Sequence, residues 1–100
     1  MSADESIKGW DFVTSHAQVL LCLARDPEVR LRDVAETVGI TERAVQRILA
    51  DLVAAGYVER ERIGRRNRYA VNREAAMRHP SQLGHEIGEL LNLLGPGTND

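Results

Sequence analysis

The chain has 100 residues and a mass of 11.1 kDa, enough for one small domain. With 43% apolar and 28% charged residues it has the composition of a globular domain, which argues against wholesale disorder. The apolar stretches around Val19–Ala24 and Leu90–Leu94 fall far short of the roughly 20 residues of a membrane span; the acidic start shows no secretory signal and the single Cys22 cannot close an internal disulfide, so a cytoplasmic location is expected.

The net charge of −2 conceals an asymmetry. Between Arg30 and Arg73 there are ten basic and six acidic residues, a net of +4, while the flanks together carry −6. This pattern predicts a basic working surface on an acidic body.

Residues 1–14 read as an amino-terminal extension, with Met1–Lys8 frayed and Trp10 and Phe12 able to fold back onto the body. Ser15, with Gln18 three residues on, has the spacing of a capping box and predicts a helix start. Val19, Leu20 and Leu23 give that helix an apolar face, and Asp26-Pro27 ends it. Glu28–Leu31 is a short link with room for a residue or two of strand. Arg32–Val38 predicts a second helix, with Val34, Ala35 and Val38 inward and Gly39 at its left-handed end. Thr41 is a good N-cap for a third helix, which reaches about Ala55. Val45, Ile48, Leu49 and Leu52 follow the i, i+3, i+4, i+7 rule along it. Helix, glycine turn and capped helix form a helix-turn-helix.

After Gly56 the period shortens. Tyr57–Ile63 and Arg68–Asn72 predict two strands joined by a turn at Gly64-Arg65-Arg66-Asn67, with Arg60, Arg62 and Arg68 on or near one face. Arg73–His79 is a linker, and Pro80 opens a last helix over 80–94. Residues 95–100 are a polar tail. Leu83, Ile87, Leu90, Leu91 and Leu94 form an apolar stripe on that helix. The stripe fits either a dimer interface or packing on the chain's own first helix. Gly84 and Gly88, four residues apart, favour the dimer, because close approach of another helix explains two residues of poor helix propensity.

The order helix, helix, helix, hairpin, helix, with the run LRDVAETVGITERAVQRILADLVAAGYVERERIGRRNRYAV over Leu31–Val71, resembles the winged helix-turn-helix of bacterial and archaeal transcriptional regulators of the MarR and ArsR type. The resemblance implies a mainly α fold with a small β-hairpin, and a DNA-binding domain over 15–73.

The residues support that implication independently. Thr41, Glu42, Arg43, Gln46 and Arg47 occupy the face of the third helix away from its apolar positions, and small Ala44 permits close approach. Arg43 and Arg47 can each grip a guanine edge in bidentate fashion, and Gln46 an adenine edge. A solvated, salt-bridged helix face is the plain alternative, with Glu42 or Asp51 as partners. The second candidate surface is the wing, where Arg62, Arg65, Arg66, Asn67 and Arg68 suit a phosphate backbone or a narrow minor groove. Like charges crowded on a tip are unfavourable without an anionic partner.

His16, His79, His85 and Cys22 form no C-x-C or H-x-x-x-H pair, so neither a metal site nor a cofactor is expected, although ArsR-type proteins are often metal sensors. No nucleophile–base pair or phosphate loop predicts an enzyme. The sequence therefore reads as a homodimeric regulator binding double-stranded DNA. Its rivals are a winged-helix protein-interaction module and an RNA-binding winged helix. A small-molecule or protein effector remains open; a chain this short leaves little room for a ligand pocket except at a dimer interface.

Overall fold

The computed structural model describes residues 11–95. Trp10 and the tail beyond Gly95 lie outside them; Phe12 is 93% exposed rather than buried on the body.

Four α-helices and one hairpin make up the described residues: α1 (Ser15–Arg25), α2 (Leu31–Val38), α3 (Glu42–Ala54), β1 (Val58–Ile63), β2 (Arg66–Val71) and α4 (Ile87–Leu94), with a 3-10 turn at Pro80–Gln82. This is a winged helix: a three-helix body carrying a two-stranded antiparallel wing.

The apolar periodicity sets the core. Val19, Leu20, Cys22 and Leu23 of α1, Val34 and Ala35 of α2, and Val45, Ile48, Leu49 and Leu52 of α3 are all buried together. Tyr57, Val58 and Tyr69 close this core from the wing side. Burial pushes the Cys22 thiol above its ordinary pKa, against the weaker opposing pull of the Arg25 charge. A thiol held protonated in this way packs as a small apolar side chain.

The N-cap of α1 is Thr14, not Ser15: its hydroxyl accepts the Ala17 N–H at 3.2 Å. Gln18 donates its side-chain amide to the Val13 carbonyl at 3.1 Å and does not complete a capping box. Gly39 ends α2 as expected, with φ at 88° and its N–H on the Ala35 carbonyl at 2.8 Å. An added Cβ there would meet nothing within 4 Å, so replacing Gly39 with alanine acts through the backbone alone. The expected loss is about 1–2 kcal/mol, the ordinary penalty of an L side chain in the left-handed region. For a domain of this size that lowers the melting temperature by about 4–8 °C per kcal/mol. A melting curve that matches the wild type would show that the turn can be made with negative φ.

The carboxy-terminal segment departs most from the pattern read in the sequence. The helix does not run over 80–94. The Pro80 turn stops, Gly84 takes φ 90°, and α4 begins only at Ile87. Glu89 reaches back to accept the Glu86 N–H at 2.9 Å, which fixes this start, and His85 Nδ1 lies 2.8 Å from its other oxygen. The backbone bond first, then the His85 contact, hold the Glu89 carboxyl below its ordinary pKa.

Leu83 therefore lies outside the helix and is 70% exposed, so the expected five-residue stripe is not continuous. Ile87 and Leu91 are buried in the chain's own core, and α4 packs on α1. Gly88 serves the same packing: a Cβ there would stand 2.9 Å from the Arg73 carbonyl oxygen, which accepts the Gly88 N–H at 2.8 Å. The Gly84 conformation makes a turn, and Gly88 admits the chain's own linker.

The linker after β2 is fastened rather than free. Tyr57 donates its hydroxyl to the Ala76 carbonyl at 2.6 Å, and Ala76 bridges antiparallel to Glu86. Between α1, the end of α3, this linker and α4 lies a groove of about 300 Å³, lined by Leu20, Leu52, Tyr57, Met77, Ile87 and Leu90 among others.

Candidate nucleic-acid interface

Placement of the third helix starts at Thr41. Its backbone is extended, and its hydroxyl accepts the Ala44 N–H at 3.0 Å. The hydroxyl proton stays available to donate outward. Because Val45, Ile48, Leu49 and Leu52 are drawn into the core, the opposite face is forced outward. Thr41, Glu42, Arg43, Gln46 and Arg47 are exposed and Ala44 is half-buried, as the sequence pattern predicts.

The salt-bridged alternative for this face is not realised. Among the described residues the carboxylates within ion-pairing distance of a basic side chain are Asp51, beside His16, and Glu89, beside His85, each at 2.8 Å. Asp51, the i+4 neighbour of Arg47, is taken by His16 of α1. Arg43 and Arg47 thus project without a carboxylate partner among the described residues, one turn apart on α3.

The wing is tighter than its composition suggested. Ile63 pairs with Arg66, so the turn is the two residues Gly64-Arg65, and Arg66 and Asn67 belong to β2. Gly64 has φ 62°, which a two-residue hairpin turn of primed type needs at its first position. The same register corrects the expected arginine face. Arg60 stands across from Tyr69 and Arg62 from Asn67, on the side of Val58 and Val71 that turns to the core. Arg68 stands across from Glu61, on the other side. Alternation fixes the faces within each strand, but the turn length decides how two strands align.

The five predicted wing residues therefore differ in position. Arg65 and Arg66 form the tip and are exposed. Arg62 folds back, donating Nε–H to the Gly64 carbonyl at 3.1 Å. Asn67 is half-buried, and Arg68 faces an acid across the ladder. One contact was not legible beforehand: Tyr69 donates its N–H to the Pro27 carbonyl at 2.8 Å. It ties the outer edge of the wing to the link before α2 and brings Arg30 beside the tip.

Among the described residues no group of three or more His, Cys, Asp or Glu could hold a metal ion. No helix among them is long and apolar enough to cross a membrane.

A search of curated proteins returns no match to the chain. The model of the MarR family matches residues 11–68, which span α1, the helix-turn-helix and the wing through Arg68. Exposed unpaired arginines on a capped third helix, a basic wing tip and this match over more than half of the sequence lead to one statement: the chain belongs to the MarR family, winged helix-turn-helix regulators of transcription.

Proposed function

We propose that the protein binds double-stranded DNA sequence-specifically as a homodimer, with α3 in the major groove and the wing tip on the backbone or in the minor groove. The observation that carries this reading is the polar face of α3. Three side chains suited to base edges, Arg43, Gln46 and Arg47, stand exposed there, while the nearby Asp51 is occupied by His16. A pure protein-interaction module has no need of arginines on both the helix and the wing. Selection of bound sequences from random duplexes, with RNA as competitor, tests the reading. Enrichment of a duplex motif is expected; capture by RNA alone would overturn it.

The wing supplies affinity more than specificity, because Arg65 and Arg66 stand at a turn that offers charge but no shaped reading surface. Replacing both with glutamine should weaken specific and random duplexes alike. It should also lower the slope of log K against log salt by about one unit per lost phosphate contact. An unchanged slope would show that these side chains meet only solvent.

The dimer surface in this reading is smaller than the stripe in the sequence. Leu83, Leu93 and Leu94 are 70%, 76% and 40% exposed, and Leu90 is half-buried, whereas Ile87 and Leu91 are already used. Changing Leu93 and Leu94 together to glutamate should give folded monomers. Such monomers should lose tight binding to a two-fold site whose half-sites lie about one helical turn, 34–36 Å, apart. Sedimentation checks it: a double variant that stays dimeric places the interface elsewhere.

A further inference from the structure

The region between the wing tip and the link before α2 forms a cleft of about 420 Å³. Arg30 lines one wall, Arg65 and Arg66 the other, with Leu31, Asn67 and Tyr69 also lining it. Three arginines from two distant parts of the sequence line it, with Glu28 as the single acidic residue. None of the three is in an ion pair among the described residues, and Glu28 takes none of them. Arg30 occupies the N-cap position of α2, where its donor-only guanidinium cannot cap the helix.

The walls are held by bonds that do not involve these side chains. Tyr69 donates its N–H to the Pro27 carbonyl at 2.8 Å, which fixes the strand against the link. The Glu28 N–H donates to Asp26 Oδ1 at 3.1 Å and the Val29 N–H to the Asp26 carbonyl at 3.0 Å, which fix the link itself. The fold thus places three arginines around one cleft, and an anion seated there would offset their like charge.

We propose that this cleft seats a phosphate of the DNA backbone, with Arg30 as a backbone contact that acts together with Arg65 and Arg66. The proposal rests on the DNA-binding reading above and adds a contact from outside both α3 and the wing. A duplex fits the arrangement better than a free anion does. It presents phosphates along a continuous strand, so the cleft and the exposed wing tip can be engaged together. Guanidinium forks match phosphate oxygens in pairs.

The test compares the full chain with Arg30→Gln and Arg32→Gln on one random-sequence duplex across a range of salt. Arg32 is also exposed on α2 but does not line the cleft, so it reports a loss of general charge. The expected result is a slope of log K against log salt that falls by about 0.9 for Arg30→Gln and stays at the wild-type value for Arg32→Gln. Equal slopes for the wild type and Arg30→Gln, or equal falls for both variants, overturn the phosphate seat while leaving the DNA-binding reading intact. A wild type that binds no duplex overturns both. A melting-temperature rise with a mononucleotide, lost in Arg30→Gln while its duplex slope stays at the wild-type value, reassigns the cleft to a free phosphoanion and overturns the backbone contact.

Discussion

Replacing Arg43 and Arg47 together with alanine is expected to remove about 2–6 kcal/mol of binding to a selected duplex, from about 1–3 kcal/mol for each base contact. Both side chains leave the exposed face of α3 one turn apart, and neither has a carboxylate partner to lose among the described residues. The variants therefore remove outward contacts without leaving a buried charge behind, and folding stability should change little. Binding to random duplex should fall much less, because the wing arginines remain. Fluorescence anisotropy on a selected and a scrambled duplex separates the two effects. A double variant that keeps the wild-type preference would remove α3 from the role of reader.

Leu91→Ala is expected to cost about 2–5 kcal/mol of stability, the range for truncating a buried leucine. Leu91 is 2% exposed and is part of the same core as Leu20 and Leu23 of α1. An eight-residue helix is too short to persist alone, so α4 depends on such contacts. Leu94, at 40% exposure, should tolerate the same change within about 0.5 kcal/mol in the monomer. Denaturant unfolding at two protein concentrations is the check. A Leu91→Ala loss that is the same at both concentrations places the side chain against its own body. A loss that shrinks as the protein is concentrated would place it against a partner instead.

The helix-turn-helix was legible because each of its signals is local. Thr41 caps within one turn, Gly39 answers one φ angle, and Val45, Ile48, Leu49 and Leu52 share one face by helix geometry alone. The wing and α4 were less legible because their geometry depends on residues that meet across space. Polar composition marked a turn at Gly64–Asn67, but the pairing of Ile63 with Arg66 shortened it to two residues and sent Arg68 to the face of Glu61. The leucine spacing from Leu83 onward fitted one helix. Gly84 at φ 90° and the back-bond from Glu86 to Glu89 nevertheless restart it four residues later, at Ile87. Glu86 is not one of the usual N-cap residues, so the capping box it forms with Glu89 carried no ordinary sequence signal. The nearness of Arg30 to the wing had no sequence signal, since it follows from one backbone bond between Tyr69 and Pro27.

The most direct measurement for the central claim is a nitrogen-15 NMR titration of the full chain with a duplex recovered by selection. The account predicts that the largest amide changes fall on residues 41–47 at the start of α3 and on 64–66 at the wing tip, with α4 little affected. Changes confined to α4 and the linker before it, with the amides of 41–47 unmoved, would contradict the claim that α3 reads DNA.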